Sequence, residues 1–407
     1  MGRKRLDRRQ FLQAGGAALA AGTVFAQQQP NFPSSPSVGP YGARSRFETY
    51  GRVTLGVGGA RLTPLREQPG IITPAALHYY VNHTADYPMI DPKQHRLMIH
   101  GMVDRPVTLT VEELKRLPSV SRIYFIECAT NTSPSSSPDA ETLEERFGRT
   151  SCSEWTGVPL SLLLRETGVQ EKAAWLVAEG ADSAKFTMSI SLDKAMDDAL
   201  VAYAQNGEPI RPENGYPLRL IVPGWEGVRN VKWLRRIKVA DQPFMTRMET
   251  ASHASMHITD GKSRWFEVEI GPKSVITHPA GGQQLSGPGF HEITGLAWSG
   301  WGSVRQVDVS TDGGRTWREA KLNEPVLRLA YAKFSLDWTW NGEDAVIQSR
   351  CTDEHGNVQP SVTELTKLWE FPDSTYFRKV TTYVSLFNAI QPWRISRDGS
   401  VHNAVWS

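Results

Sequence analysis

The sequence predicts an α+β domain over residues 46–250 followed by an all-β sandwich of immunoglobulin type over 260–372. Three observations predict it. Between residues 95 and 222, apolar runs that read as buried strands alternate with capped helical stretches. Beyond about residue 260, short alternating segments follow one another with turn residues between them, the pattern of an antiparallel sandwich. Asp312-Gly313-Gly314 falls between two of those segments as a hairpin turn signal.

In the first part, Arg96–His100 reads as a strand and Val103–Pro106 as a turn. Val111–Leu117 reads as a helix, with Thr110 in the cap position and acidic residues in the first turn, where the helix dipole favours them. Ile123–Ile126 is an apolar run that reads as a buried strand ending at Glu127-Cys128. The polar stretch 129–155, which contains Pro134 and Pro138, reads as a long loop, and long loops in compact domains are usually functional. Val158–Glu166 reads as a helix stopped by Gly168, and Trp175–Ala178 and Leu218–Val222 as further buried strands. In the second part the expected strands are Ser263–Val268, Gly289–Trp298, Val304–Ser310, Thr316–Ala320, Ala330–Trp340 and Asp344–Thr352. Residues 373–407 form a tail whose aromatic and apolar side chains call for a surface to pack on.

The N-terminus reads as an address. Arg3, Lys4, Arg5, Arg8 and Arg9 precede the small apolar run Ala14–Ala26, which is too short and too rich in Ala and Gly to anchor in a bilayer. Asp7-Arg8-Arg9-Gln10-Phe11-Leu12 resembles a twin-arginine export motif, so residues 1–26 are expected to be removed, 27–45 to form a linker, and the mature chain to be periplasmic. Formal net charge of +2 then becomes −2, because the signal holds five basic residues and one acidic one. Such a chain lacks the basic excess of a nucleic-acid binder and has no expected membrane span. The three cysteines, Cys128, Cys152 and Cys351, are too few for a disulfide framework, and no C-x-x-C-H offers a site for covalent haem. Cys351 is expected to be packed in a strand, and a redox or surface role stays open for Cys152. The spacing of His257, His278 and His291 fits no metal-ligand pattern.

Cys128 stands where a buried strand opens into a polar loop. From position alone it is either a packed thiol or a soft thiolate ligand or nucleophile. The surrounding segments carry more information. Phe125-Ile126-Glu127-Cys128-Ala129-Thr130-Asn131 resembles the Cys-Ala-Gly-Asn turn of the sulfite oxidase family. Tyr80-Val81-Asn82-His83, Glu179-Gly180-Ala181-Asp182, Asn214-Gly215-Tyr216-Pro217-Leu218-Arg219 and Pro223–Trp233 resemble later motifs of that family, in the same order, and Ala297–Gly300 and Val307–Trp317 resemble its dimerisation domain. The chain is thus similar to that family over about residues 77–370. The resemblance implies a sulfite-oxidase-type molybdopterin-binding domain, a molybdenum–molybdopterin cofactor, and Cys128 as the protein ligand to the metal. It implies cofactor-binding roles for Asn82, His83, Asp182, Asn214, Arg219, Asn230, Val231 and Lys232, with Arg219 and Lys232 suited to the cofactor's phosphate, and a homodimer through the sandwich. His253 falls near the family's substrate-pocket tyrosine and is expected to be catalytic.

The sequence also departs from the sulfite-oxidising pattern. The arginines that bind the sulfite dianion in that family fall here at Val81, at Thr132-Ser133 and near Tyr383, and the histidine of its His-Gly-Phe-Pro run is Asn214. The pattern, with Phe387–Trp393 and Ile99–Pro106, is similar to the Sox-type sulfane dehydrogenases of thiosulfate oxidation. That branch implies oxidation of sulfane sulfur on a carrier protein, with electrons leaving to a separate c-type cytochrome subunit. Alternatives are a periplasmic sulfite dehydrogenase, a sulfoxide reductase on the same fold, and a non-catalytic assembly subunit with a degenerate site.

Overall fold

The structure, a computed structural model, describes residues 42, 44–55, 59–84, 86–134, 139–257, 262–266, 268–379 and 386–405. The expected signal and nearly all of the expected linker lie outside them. No helix among the described residues is long and apolar enough to cross a membrane.

The first part carries β1 (Val53–Leu55), β2 (Ala60–Leu62), β3 (Arg96–Gly101), β4 (Val107–Thr110), β5 (Val120–Glu127), β6 (Thr150–Pro159), β7 (Trp175–Gly180), β8 (Thr187–Ser191), β9 (Leu200–Gln205), β10 (Glu208–Pro209), β11 (Arg219–Ile221) and β12 (Leu234–Ala240). One sheet has the order β10-β9-β6-β5, with β11 on β9; the other has the order β4-β3-β12-β7-β8. β12 runs parallel to β3, and the other pairings in these sheets are antiparallel. Leu97, Ile99, Leu163, Leu176, Leu220 and Ile237 share one core. Short helices cap the connections. Val111–Lys115 opens on a reciprocal capping box between Thr110 and Glu113, as the sequence signal requires. Leu160–Thr167 stops at Gly168, whose φ of 68° suits a residue without Cβ.

The stretch 129–155 is not one long loop. A helix spans Leu143–Phe147, and β6 begins at Thr150 and pairs with the whole of β5. The run Thr150-Ser151-Cys152-Ser153 is polar in composition yet fully buried, because its hydroxyls find partners inside. Thr63 and Ser151 share a 2.6 Å hydroxyl contact, Tyr331 donates to Thr150 at 2.8 Å, and Gln205 donates to Ser153 at 3.0 Å. Cys152 is therefore a packed thiol, pushed up to about 12 by burial, and holds no surface role.

A hairpin of β13 (Ser255–His257) and β14 (Lys262–Arg264) leads into the sandwich, and the expected strand at Ser263–Val268 is this shorter one. The sandwich strands are β15 (Lys273–His278), β16 (Gly289–Trp298), β17 (Val304–Ser310), β18 (Arg318–Glu319), β19 (Lys321–Asn323), β20 (Ala332–Trp340), β21 (Ala345–Asp353), β22 (Trp393–Ile395) and β23 (Val401–Asn403). They form two sheets, β15-β16-β20-β19 and β18-β17-β21-β22-β23. The tail thus extends the second sheet. The Asp312 turn joins β17 to β18, with Asp312 accepting from Thr316 N–H at 2.9 Å and from its hydroxyl at 2.6 Å. Cys351 is fully buried. The sandwich core of Trp298, Tyr331, Phe334 and Trp393 continues into the first part through Phe125 of β5 and Phe147.

Candidate active site

β5 ends where its apolar pattern does, with Phe125 and Ile126 buried and Cys128 one residue beyond the strand, half-buried. The Cys128 N–H donates to Arg149 O at 2.9 Å, and Asn131 N–H donates to Cys128 O at 2.8 Å, so the chain turns back immediately after the cysteine. Thr132, at φ 66°, completes the turn in the left-handed region. The sulfur has Thr130 Oγ1 at 3.3 Å and no disulfide partner.

Cys128 opens into a partly enclosed pocket. Asn82, His83, Asp182, Arg219, Asn230, Val231, Lys232 and His253 line it too. Residues more than a hundred positions apart in sequence therefore converge on one cavity. Asn214 stands behind the wall: its carbonyl accepts from Arg219 Nη1 at 2.9 Å and its Nδ2 donates to Ala75 O and Gln205 Oε1. Asn230 and Asp182 shape the walls, with Asn230 Oδ1 accepting from Val222 N–H at 2.8 Å and Asp182 Oδ1 from Phe186 N–H at 2.9 Å. Tyr383 lies outside the described residues. The pocket also has walls that no motif named, Tyr79 and Phe186, and Gly227, Val228 and Trp233 of the Pro223–Trp233 run line it without having been named as site residues. Phe186 stacks on His83 at 5.0 Å between ring centres. Gly227 is needed for fit, since a Cβ there would lie 2.4 Å from the Tyr79 hydroxyl.

The electrostatics of the wall are uneven. Arg219 is buried against Trp155, its guanidinium carbon 5.3 Å from the ring centre, and it donates to Asn230 O at 3.2 Å. Among the described residues Lys232 Nζ donates only to carbonyls, Val81 O and Glu213 O, both at 3.0 Å. Among the described residues neither cation has a carboxylate within ion-pair distance. Loss of hydration pushes Arg219 down to about 10; loss of hydration and then the Arg219 charge push Lys232 well below its usual range. Around them Asn214 Oδ1, Trp155 Nε1 and His78 Nε2 are buried with no hydrogen-bond partner among the described residues. Buried unpaired cations and orphaned polar atoms are costly, and an anion bound here would compensate both cations. The donor set fits a phosphate-bearing group beside a soft sulfur ligand.

The histidines of the pocket carry no charge near neutrality. Burial, then the neighbouring His253 and Lys232, hold His83 at about 4 against the opposing pull of Asp182; burial, then Arg229, hold His253 at about 4; outside the lining, burial and then Arg219 push His78 well below the usual value. The sign follows from proton uptake. The unfolded chain binds these protons near pH 6.5, while the folded chain resists them until about pH 4. We expect the contribution of these histidines to stability to be full above 6.5 and to fall as pH drops toward 4. Thermal unfolding at pH 7 and 4.5 measures this, and a His78→Gln variant should show a smaller drop.

Residues 84–248 match the family profile of the oxidoreductase molybdopterin binding domain, and residues 265–383 that of the Mo-co oxidoreductase dimerisation domain. The crystal structure of the sulfane dehydrogenase SoxCD from Paracoccus pantotrophus superposes with a TM-score of 0.83 and 35% sequence identity, covering 94% of this chain and 99% of that one. The chain belongs to the sulfite oxidase family. It is a molybdenum-cofactor oxidoreductase, built of the family's α+β cofactor domain and its β-sandwich. The chain is also similar to part of longer plant proteins. NADH nitrate reductase 2 of Phaseolus vulgaris is 33% identical over 331 residues, covering 72% of this chain and 37% of its own length. The NADH nitrate reductase of Solanum lycopersicum is 32% identical, with 36% of its length covered. The chain therefore spans little more than a third of these curated relatives. When bound, the cofactor would supply two-electron redox chemistry at molybdenum, and the protein's part would be to bind, orient and tune it.

Proposed function

We propose that the chain is the catalytic subunit of a periplasmic sulfane dehydrogenase, exported by the twin-arginine route, that oxidises sulfane sulfur held on a cysteine of a carrier protein during thiosulfate oxidation. Electrons then pass to a c-type cytochrome subunit, and two copies associate through the sandwich. Cys128 is the metal's protein ligand; Arg219 and Lys232 take the cofactor's phosphate; Asn82, His83, Asp182, Asn230 and Val231 shape its seat, with Asn214 supporting Arg219 from behind. His253 presents a neutral ring to the substrate. Each two-electron step adds one water-derived oxygen to the outer sulfur and releases the protons of that water.

The observation that carries this reading is the charge of the pocket beside Cys128. Val81 lines it where the sulfite-binding pattern has arginine. Thr132 is buried and turned away, its hydroxyl bonded to Phe387 O and to Lys273 Nζ. The two histidines stay neutral, so a doubly charged sulfite finds no clamp, whereas a thiol-bound sulfane group needs none. The resemblance of the whole chain to the SoxCD structure supports the same reading.

Two missing arginine contacts of about 1.5–3 kcal/mol each amount to roughly a hundredfold to ten-thousandfold in transition-state binding of sulfite. The test compares kcat/KM of the cofactor-loaded chain and its cytochrome partner for sulfite and for a persulfidated cysteine peptide. We expect the peptide to be preferred by about a hundredfold or more. Equal or better turnover of sulfite overturns the assignment in favour of a sulfite dehydrogenase.

A further inference from the structure

Glu127 is the last residue of β5 and the chain neighbour of Cys128, and its carboxylate is 1% exposed. Two of its three donors come from the sandwich. Lys273 Nζ, from the first residue of β15, lies 2.5 Å from Oε1, and Trp298 Nε1, from the end of β16, lies 2.6 Å from Oε2. The third is Asn131 Nδ2 at 3.0 Å, from the turn that follows the cysteine. Lys273 is equally buried, and it also donates to Thr132 Oγ1 at 3.2 Å. Its only carboxylate partner among the described residues is Glu127. The sandwich thus grips the cysteine turn on both sides, at Glu127 before it and at Thr132 after it.

A buried ion pair is weak evidence for stability, because desolvation offsets most of its attraction. This pair is placed where it fixes direction. Thr132 sits at φ 66°, a conformation a β-branched residue adopts only when its surroundings impose it; its N–H is held by Arg146 O at 2.9 Å, and its hydroxyl is held by Lys273 and Phe387 O. Asn131, tied to Glu127, also accepts from Arg149 N–H at 3.0 Å and so locks the turn to the start of β6.

We propose that Lys273 and Trp298 of the sandwich are positioning residues for Cys128: the second domain, besides any part in dimerisation, sets the direction in which the thiolate meets the cofactor. This rests on the reading of Cys128 as the metal ligand, but the orientation can be measured without the metal. Cys152 and Cys351 are fully buried, so alkylation of the folded chain by iodoacetamide reports Cys128 alone. The experiment uses the full chain, cofactor-free and cofactor-loaded. The variants are Trp298→Phe, which keeps an aromatic side chain but loses the indole N–H, and the double variant Glu127→Gln with Lys273→Met, which removes both buried charges together; Lys273→Arg is the conservative control.

The expected result has two parts. Alkylation of Cys128 in the cofactor-free chain changes by about tenfold or more, in both variants and at unfolding temperatures near the parent's. The Mo(V) electron paramagnetic resonance signature of the loaded chain shifts in the same variants and returns toward the parent's in Lys273→Arg. Parent-like alkylation and parent-like spectra overturn the proposal, whether or not the unfolding temperature falls, because a merely structural clamp moves only the latter. Should the double variant fail to fold, Trp298→Phe decides alone. If Cys128 proves not to bind the metal, the spectra lose their meaning while the alkylation result still stands.

Discussion

Replacing Cys128 by serine should abolish turnover while leaving the fold intact. The substitution exchanges a soft sulfur for a harder oxygen at a position whose main chain is already held, by the Cys128 N–H bond to Arg149 O and by the Asn131 N–H bond to Cys128 O. Neither bond involves the side chain, and the serine hydroxyl is smaller than the thiol it replaces. The expected outcome is activity down by at least about a thousandfold, since on the proposed reading Cys128 is a ligand at the reacting centre itself. The Mo(V) spectrum should change, and the unfolding temperature should stay near that of the parent. Metal and pterin analysis of the purified variant completes the measurement. Full activity in Cys128→Ser would refute the assignment of the ligand.

The second large effect belongs to Arg229. Its guanidinium is fully buried between Glu226 Oε1 at 3.0 Å and Glu249 Oε1 at 2.7 Å, and it also donates to Ser189 O at 2.6 Å. Burial outweighs the arginine and pushes Glu226 up to about 7, so one cation between two carboxylates is only just enough. Arg229→Met leaves two buried acids with no cation and should cost about 3–5 kcal/mol. The sign with pH is fixed by Glu226. Its folded-state value lies above its unfolded one, so the folded chain holds the extra proton and the contribution of Glu226 to stability falls as pH rises through 4.5 to 7, opposite to that of the pocket histidines. Removing Arg229 raises that value further, so the loss should be larger at pH 8 than at pH 6, as read from urea midpoints. The active site should feel it too, because Glu249 lies on the helical turn Met248–Ser252 that delivers His253 to the pocket.

What the sequence revealed of this molecule was whatever is encoded locally. The capping box at Thr110 and Glu113, the stop at Gly168, the apolar run up to Cys128 and the Asp312 turn each depend on residues a few positions apart, and each stands where its chemistry requires. What escaped was chemistry settled at long range. Thr150–Ser153 reads as a polar loop because nothing nearby shows that Thr63, Gln205 and Tyr331 satisfy its hydroxyls. β22 and β23 are too short to announce themselves, and only pairing with β21 makes them strands. In the pocket, ordered motifs brought nine of the named residues to one cavity but placed Asn214 on its surface, where the structure has it behind Arg219. Phe186 carries no local signal of a site, and the Glu127–Lys273 pair spans 146 positions.

One contact has a consequence for how such chains can be recombined. The main chains at Gly224 and Gly300 lie so close that a Cβ on either would fall 2.3 or 2.1 Å from the other's carbonyl oxygen. A sandwich grafted from a distant relative would have to bring a bare α-carbon to that seam and an ammonium to meet Glu127 as well. Shuffling of the two halves is therefore confined to pairs that inherited both, so they are expected to travel through evolution as a matched set.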